Sequence, residues 1–536
     1  MDSIEMTKKT LIYVICSVFL IEVFAEKTTI YLEHSETLSF DQERMPDCQI
    51  LGGNVQFRHD NALMFCDSAF FHDKQNTIDA FGNIRIEQGD SIFVYGDKLH
   101  YEGNIKLAKL RHHVRMIKDG MTLYTDSLNY DRELNVGYYF NKGKIVDSTN
   151  VLTSINGHYY PNTNTAVFQK DVVLTNPDFI LYSDTLKYNT ATDIAYILGP
   201  STILYDSTTI YSEYGWYDTK QEHSKLIDNS IIKDKEGRTL TADTIYYNRK
   251  NNIAKGYINV QLRDSVQKSM LVGDYGIYNE MTKMGSMTKK ATFIDFSSAD
   301  SLFLTGDTLF YASSDSVTSI RGYYNVQSWQ KDFQLICDSM YYSTQDSIMR
   351  MFGTPIAWNE NNQITGDSIY LLTKDNKVNK ILVQGAAFMF MKSDSTEYNQ
   401  VSGKQFTGYV KDEHLYKLFV DGNALSIYFV KEEADSTEEA TSDSAEYIGI
   451  NKAESSELTI YIGQDNKPER IVMTPASNGT MYTPDKRTNL ELTRLKGFID
   501  CASLRPKDKI DIYNKKDKHL LKQQSAAQPR YKRKER

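Results

Sequence analysis

Along most of the chain, apolar and polar residues alternate in short runs, and the runs fall into a recurring frame. "YTDSLNY" (124–130), "YSDTLKY" (182–188), "TADTIYY" (241–247) and "TGDTLFY" (305–311) share the order small, Asp, Ser or Thr, aliphatic, any residue, Tyr. With the Asp as position zero, the frame recurs roughly every thirty residues, at Asp67, Asp97, Asp126, Asp184, Asp243, Asp274, Asp307, Asp338, Asp367 and Asp443. Degenerate copies are expected around His158, Glu213 and Lys404. Self-similarity at a fixed period predicts a repeat architecture.

Positions +2 and +4 share one face of a strand, and they are apolar in copy after copy: Leu99 and Tyr101, Leu128 and Tyr130, Leu186 and Tyr188, Ile245 and Tyr247, Leu309 and Tyr311, Met340 and Tyr342. Positions +1 and +3 are mostly polar, so one face is apolar and the other largely wet. Position −3 is apolar as well (Val94, Leu123, Leu181, Leu240, Leu304), although an odd offset cannot share a face with +2 in an unbroken strand. A small residue lies between them at −1, as at Gly96, Gly273 and Gly306, where a bulge or sharp bend would reset the parity. After the Tyr, Asn or Asp opens a polar turn of the hairpin kind, and a further run led by Gly follows, such as "GNIRI" from Gly82. The pattern predicts an all-β chain of about three short antiparallel strands per repeat, creased into an elongated V-shaped jelly roll. The alternative is a parallel β-helix, whose rungs need no hairpin after every Tyr.

Composition adds the setting. Tyr (37) far outnumbers Trp (3), Pro is scarce (10), and the net charge is −9. This suits long strands and argues against a nucleic-acid partner. Lys8 and Lys9, the apolar run Leu11–Phe24 and a small residue at Ala25 predict a cleaved signal peptide over 1–25, the alternative being an uncleaved anchor. Cys48, Cys66, Cys337 and Cys501 are too few for a disulfide scaffold; a Cys48–Cys66 bridge and four buried thiols both remain open. The acidic stretch 431–444 reads as a solvated inserted loop and 514–536 as a basic disordered tail.

No convergent catalytic constellation stands out. Neither G-x-S-x-G, H-E-x-x-H, a P-loop nor C-x-x-C is present. His112 and His113, adjacent on a strand, would point to opposite faces and could not chelate from one side. The recurring Asp residues occupy one slot of a repeat, where a role at the start of a strand accounts for all of them together. No enzyme, metal or cofactor is expected.

Serial "aDxLxY…GNVxI" units behind a leader resemble the OstA/LptA-like proteins, and especially their long forms, over most of residues 35–430. "LKGFIDCASLRPKDKIDIY" (495–513) resembles the tail of those long forms. The resemblance implies a periplasmic bridge of a Gram-negative bacterium, whose apolar groove takes the acyl chains of lipid A and carries lipopolysaccharide towards the outer membrane. The groove-facing residues would then be the +2 and +4 positions named above. Implied partners are lipopolysaccharide or lipid A, transport proteins at the inner and outer membranes, and further copies joined end to end. The expected organisation is a first stack over 26–157, a second over 158–403 and a C-terminal β region over 404–513. A structural or carbohydrate-binding surface repeat is the alternative function.

Overall fold

The computed structural model describes residues 28–516 except 315–316, 375–376, 394–395, 413, 432–446, 465–466 and 476. The leader, the Asp443 copy, nearly all of the acidic loop and most of the basic tail lie outside the described residues. The chain divides into two compact units, one up to Leu204 and one from Tyr205 onward.

In the first unit, strands Gln49–His59, Ala62–His72, Thr77–Gln88, Ile92–Glu102, Leu107–Lys118 and Met121–Asp131 pair in serial order, each antiparallel to its neighbours. The second unit repeats the pattern with His223–Asp234, Thr239–Asn248, Ile253–Asp264, Ser269–Asn279, Met284–Asp295 and Leu302–Ser313. Antiparallel pairing throughout these ladders excludes a parallel β-helix. The all-β class and the hairpins after Tyr101, Tyr130, Tyr188, Tyr247, Tyr278 and Tyr311 are as the sequence pattern predicts. The count per repeat differs, because the two runs after the Tyr usually form one long strand. Thr77–Gln88 runs straight through Gly82, while Val136–Tyr139 and Gly143–Val146 are separate pieces.

Every long pairing carries a shift at its middle. Gly52 pairs with Ser68 and Val55 with Cys66, so Gly53 and Asn54 together oppose the single Asp67. This is a bulge, and it bends the ladder where parity flips. The small −1 residues lie beside it: Gly96 pairs with Ile84 next to the shift between Phe81 and Ile84. The tight corner itself is on the return strand, where two successive residues take left-handed φ, as at Gly82 (77°) and Asn83 (44°) or His112 (64°) and His113 (49°). The motif Asp therefore sits mid-strand, not at a strand start, and holds this corner. Asn83 Nδ2 donates to Asp67 at 2.9 Å, Asn325 Nδ2 to Asp307 at 2.7 Å, and His113 lies 2.6 Å from Asp97. In the copy expected around His158, Leu152 and Tyr159 are the buried −3 and +4 residues, which centres it on Ile155.

The creased strands fold into two facing arms. His59 is level with Ile92 through the pairs His59–Ala62, Ala62–Gln88 and Gln88–Ile92. Tyr101 lies at the far end of Ile92's strand, about 30 Å away if that strand were straight. Yet Tyr101 Oη is 2.6 Å from His59 Nδ1. Here the first arm means the half of each motif strand before the Asp, and the second arm the half after it.

In the second unit, the segment 489–516 runs as a strap over the outer side of the first arm. Leu495, Phe498, Ile499, Cys501 and Leu504 cover Ile336, Ile356, Trp358, Phe388 and Phe390, apolar residues on what would otherwise be the wet face. Side-chain amides fix the register. Gln400 Nε2 donates to Thr493 O at 2.8 Å while Leu495 N donates to Gln400 Oε1 at 2.9 Å, and Gln363 does the same with Ile499 O and Cys501 N, both at 2.9 Å. All four described cysteines are buried and none is in a disulfide, and burial pushes the Cys66 and Cys501 thiols up to about 12. Native protein should therefore resist alkylation. Gln400→Leu strands a buried N–H and C=O, a loss of about 2–4 kcal/mol concentrated in the strap. In that variant Cys501 should become the first thiol to react, while Cys66 stays protected; equal labelling of both would mean the strap does not loosen separately.

Candidate functional site: the closed interior between the arms

The predicted inward residues do face the interior. Leu128, Leu186, Ile245, Leu309, Tyr101 and Tyr130 are fully enclosed, Tyr247, Tyr188, Met340, Leu99 and Tyr311 nearly so, and Tyr342 is partly buried. Val94, Leu123, Leu181, Leu240 and Leu304 of the first arm are buried too. The two apolar faces thus meet and fill the space between them. An enclosed void beside Arg238, Tyr278 and Glu280 measures about 10 Å³, the size of a single water.

The mouth opposite the crease is closed by polar contacts, many made by the hydroxyls of the +4 tyrosines. In the first unit, Arg132 Nη1 donates to Tyr101 Oη at 2.7 Å, and its Nη2 donates to His59 O at 3.1 Å. Burial lowers the His59 pKa, which keeps the ring neutral and leaves Nδ1 to accept from Tyr101. Lys106 on a second-arm turn pairs with Asp60 on a first-arm turn at 2.9 Å. Asn150 Nδ2 donates to Tyr188 Oη at 3.0 Å. In the second unit, Tyr311 Oη donates to Asp264 at 3.0 Å, Lys283 meets Glu236 at 3.2 Å, and Thr208 donates to Glu280. Arg238 lies within this seam, with Nε 3.1 Å from Asp264 and Nη1 3.2 Å from Asp234.

None of the seam residues other than the tyrosines was singled out in the sequence, where they read as turn polarity. The adjacent histidines lie elsewhere: His112 and His113 form a corner, and His100 donates from Nδ1 to Asp79, 2.7 Å away, on the outer side. Among the described residues no group of three or more His, Cys, Asp or Glu is placed to hold a metal ion. No helix among them is long and apolar enough to cross a membrane.

These features define a folded antiparallel β-repeat protein with an apolar interior and a hydrogen-bonded mouth. Residues 27–184 match the family model described as OstA-like protein, so that stretch of the chain is similar to the OstA-like proteins. No curated protein matches the chain.

Proposed function

We propose that the chain is a periplasmic lipid-binding protein of lipopolysaccharide transport, and that the interior between its arms receives acyl chains. The observation that supports this most is the way the interior is closed. Its faces are apolar along each unit, while its mouth is held by exchangeable hydrogen bonds and ion pairs rather than by covalent links. A long acyl chain entering it would be sheltered at about 0.8 kcal/mol per methylene, on the order of 10 kcal/mol as an upper limit. The described interior is filled, so entry requires the arms to part and the seam to open. The +2 and +4 residues are then the walls that exchange contact with one another for contact with the lipid. Transport proteins at the two membranes, and further copies of the chain, are the partners such a carrier would hand lipid to and from.

Photo-cross-linking in cells tests this reading. A photoreactive phenylalanine analogue at Leu128, Leu186 or Leu309 should capture lipopolysaccharide, whereas the same analogue at outward Tyr182, 45 % exposed, should capture none. Folded, exported protein that yields no lipid adduct at any interior position would sink the proposal.

A further inference from the structure

The outer side of the first arm differs between the two units. In the second unit the strap lies over this side along the motif strands whose −2 residues are Thr305, Ile336 and Thr365. In the first unit the same register holds Phe65, Tyr95 and Tyr124, and cations stand opposite them on the intervening strands. Direct pairs run Phe65–Arg85, Arg85–Tyr95, Tyr95–Arg115, Arg115–Tyr124 and Tyr124–Lys144. Arg85 stacks over Phe65 at 4.1 Å and Arg115 over Tyr95 at 4.5 Å.

Alternation of cation and ring is in itself a surface packing device. The second unit has it on its other arm, along Phe310, Arg321, Tyr341, Arg350 and Tyr370. Two further observations set the first unit apart. The ladder there lines an open concavity of about 1230 Å³ that reaches down to the crease. Within it, Arg115, Lys142 and Lys144 make no ion pair among the described residues, whereas Arg85 is held by Glu87 at 3.2 Å and Asp97 by His113 at 2.6 Å. Asp126 and Asp171 lie on the crease side of the concavity. Tyr124, 46 % exposed, stands between Arg115 and Lys144, one strand from each.

We propose that this concavity is a binding site for an anionic saccharide, a sugar ring carrying phosphate or carboxylate. The ring stacks on Tyr124, whose flat apolar face suits the C–H face of a pyranose. Arg115 offers a planar fork of donors to an oxyanion on one side, and Lys144 a mobile ammonium on the other. Their separation, about two strand spacings of ~4.8 Å, leaves room for one ring between the charges. The site opens on the outer side of the arm, away from the mouth, so it stands independently of what enters the interior.

Isothermal titration of the full chain decides it, with glucose 6-phosphate, trigalacturonate, maltotriose and inorganic phosphate as probes. Saturable binding of glucose 6-phosphate or trigalacturonate is expected, and the stronger of the two identifies phosphate or carboxylate as the anion. Tyr124→Ala and the pair Arg115→Gln with Lys144→Gln should each weaken that binding tenfold or more with an unchanged melting temperature, since all three side chains are exposed. Four results overturn the proposal: neither charged sugar binds, maltotriose binds as well, inorganic phosphate binds as tightly as the sugar phosphate, or the variants bind like the parent.

Discussion

Arg238→Met should lose about 3–5 kcal/mol of stability at neutral pH, the range for removing one partner from a buried charge cluster. The side chains of Arg238, Asp234 and Asp264 are 8 %, 5 % and 3 % exposed, so water cannot replace the guanidinium. Asp264 keeps Tyr311 and the N–H groups of Val266 and Gln267, but Asp234 loses the one cation that pairs with it among the described residues. Burial already raises the Asp234 pKa, against the lowering effect of Arg238. A carboxyl whose folded pKa lies above its unfolded one contributes stability that is present at low pH and is lost as pH rises through the folded value. Removing Arg238 lifts that value further. The deficit of the variant against the parent should therefore shrink when urea denaturation is repeated at pH 5.5 rather than 7.5. A deficit under about 1 kcal/mol, or one that does not change with pH, would show that the cluster is hydrated or unpaired in solution.

The same cluster explains why so much of the interior was legible and so little of its closure. Leu at +2 and Tyr at +4 announce an inward face through a period of two, a local signal that burial in the structure matches. The parity flip before Asp was legible too, because an odd offset between apolar positions needs an extra residue somewhere. Where that residue lies was not. The corner belongs to the return strand, and its left-handed pairs include His112–His113, Ile258–Asn259 and Lys289–Lys290, which carry no glycine to mark them. Its anchor is sixteen residues back for Asn83 and for Asn259, so the contact that explains the recurring Asp is made only once the strands pair.

The seam is more distant still: Tyr101 and His59 are 42 residues apart, and Tyr311 and Asp264 are 47. Nothing local distinguishes a turn residue that caps a hairpin from one that also reaches across to the opposite arm. The strap left one trace in the sequence. "IAW" at 356–358 is apolar on both faces of a strand, which means both faces are covered, and the second cover is the segment from 489 to 516.

The corner gives the second large effect. Gly82→Val should cost about 3 kcal/mol, and Gly120→Val clearly less. Both glycines have left-handed φ, 77° and 84°, so each substitution carries the backbone penalty of about 1–2 kcal/mol that an L residue meets there, at its highest for a β-branched side chain. Their surroundings differ. A Cβ on Gly120 meets nothing within 4 Å, whereas one on Gly82 runs into the Asp67 carboxylate, 2.9 Å from its Cγ and 3.0 Å from its Cβ. Asp67 must then swing away, and its 2.9 Å bond from Asn83, which fixes the second corner residue, goes with it. The excess over Gly120→Val thus comes from the carboxylate and not from the backbone. Asp67→Ala should accordingly recover part of the loss in the Gly82→Val background while lowering the stability of the parent, a sign change that a double-mutant cycle by chemical denaturation reads directly. Equal losses at Gly82 and Gly120, or no recovery by Asp67→Ala, would leave the recurring Asp without the corner role, because a carboxylate that does not touch the corner has no reason to recur at the same place in so many repeats.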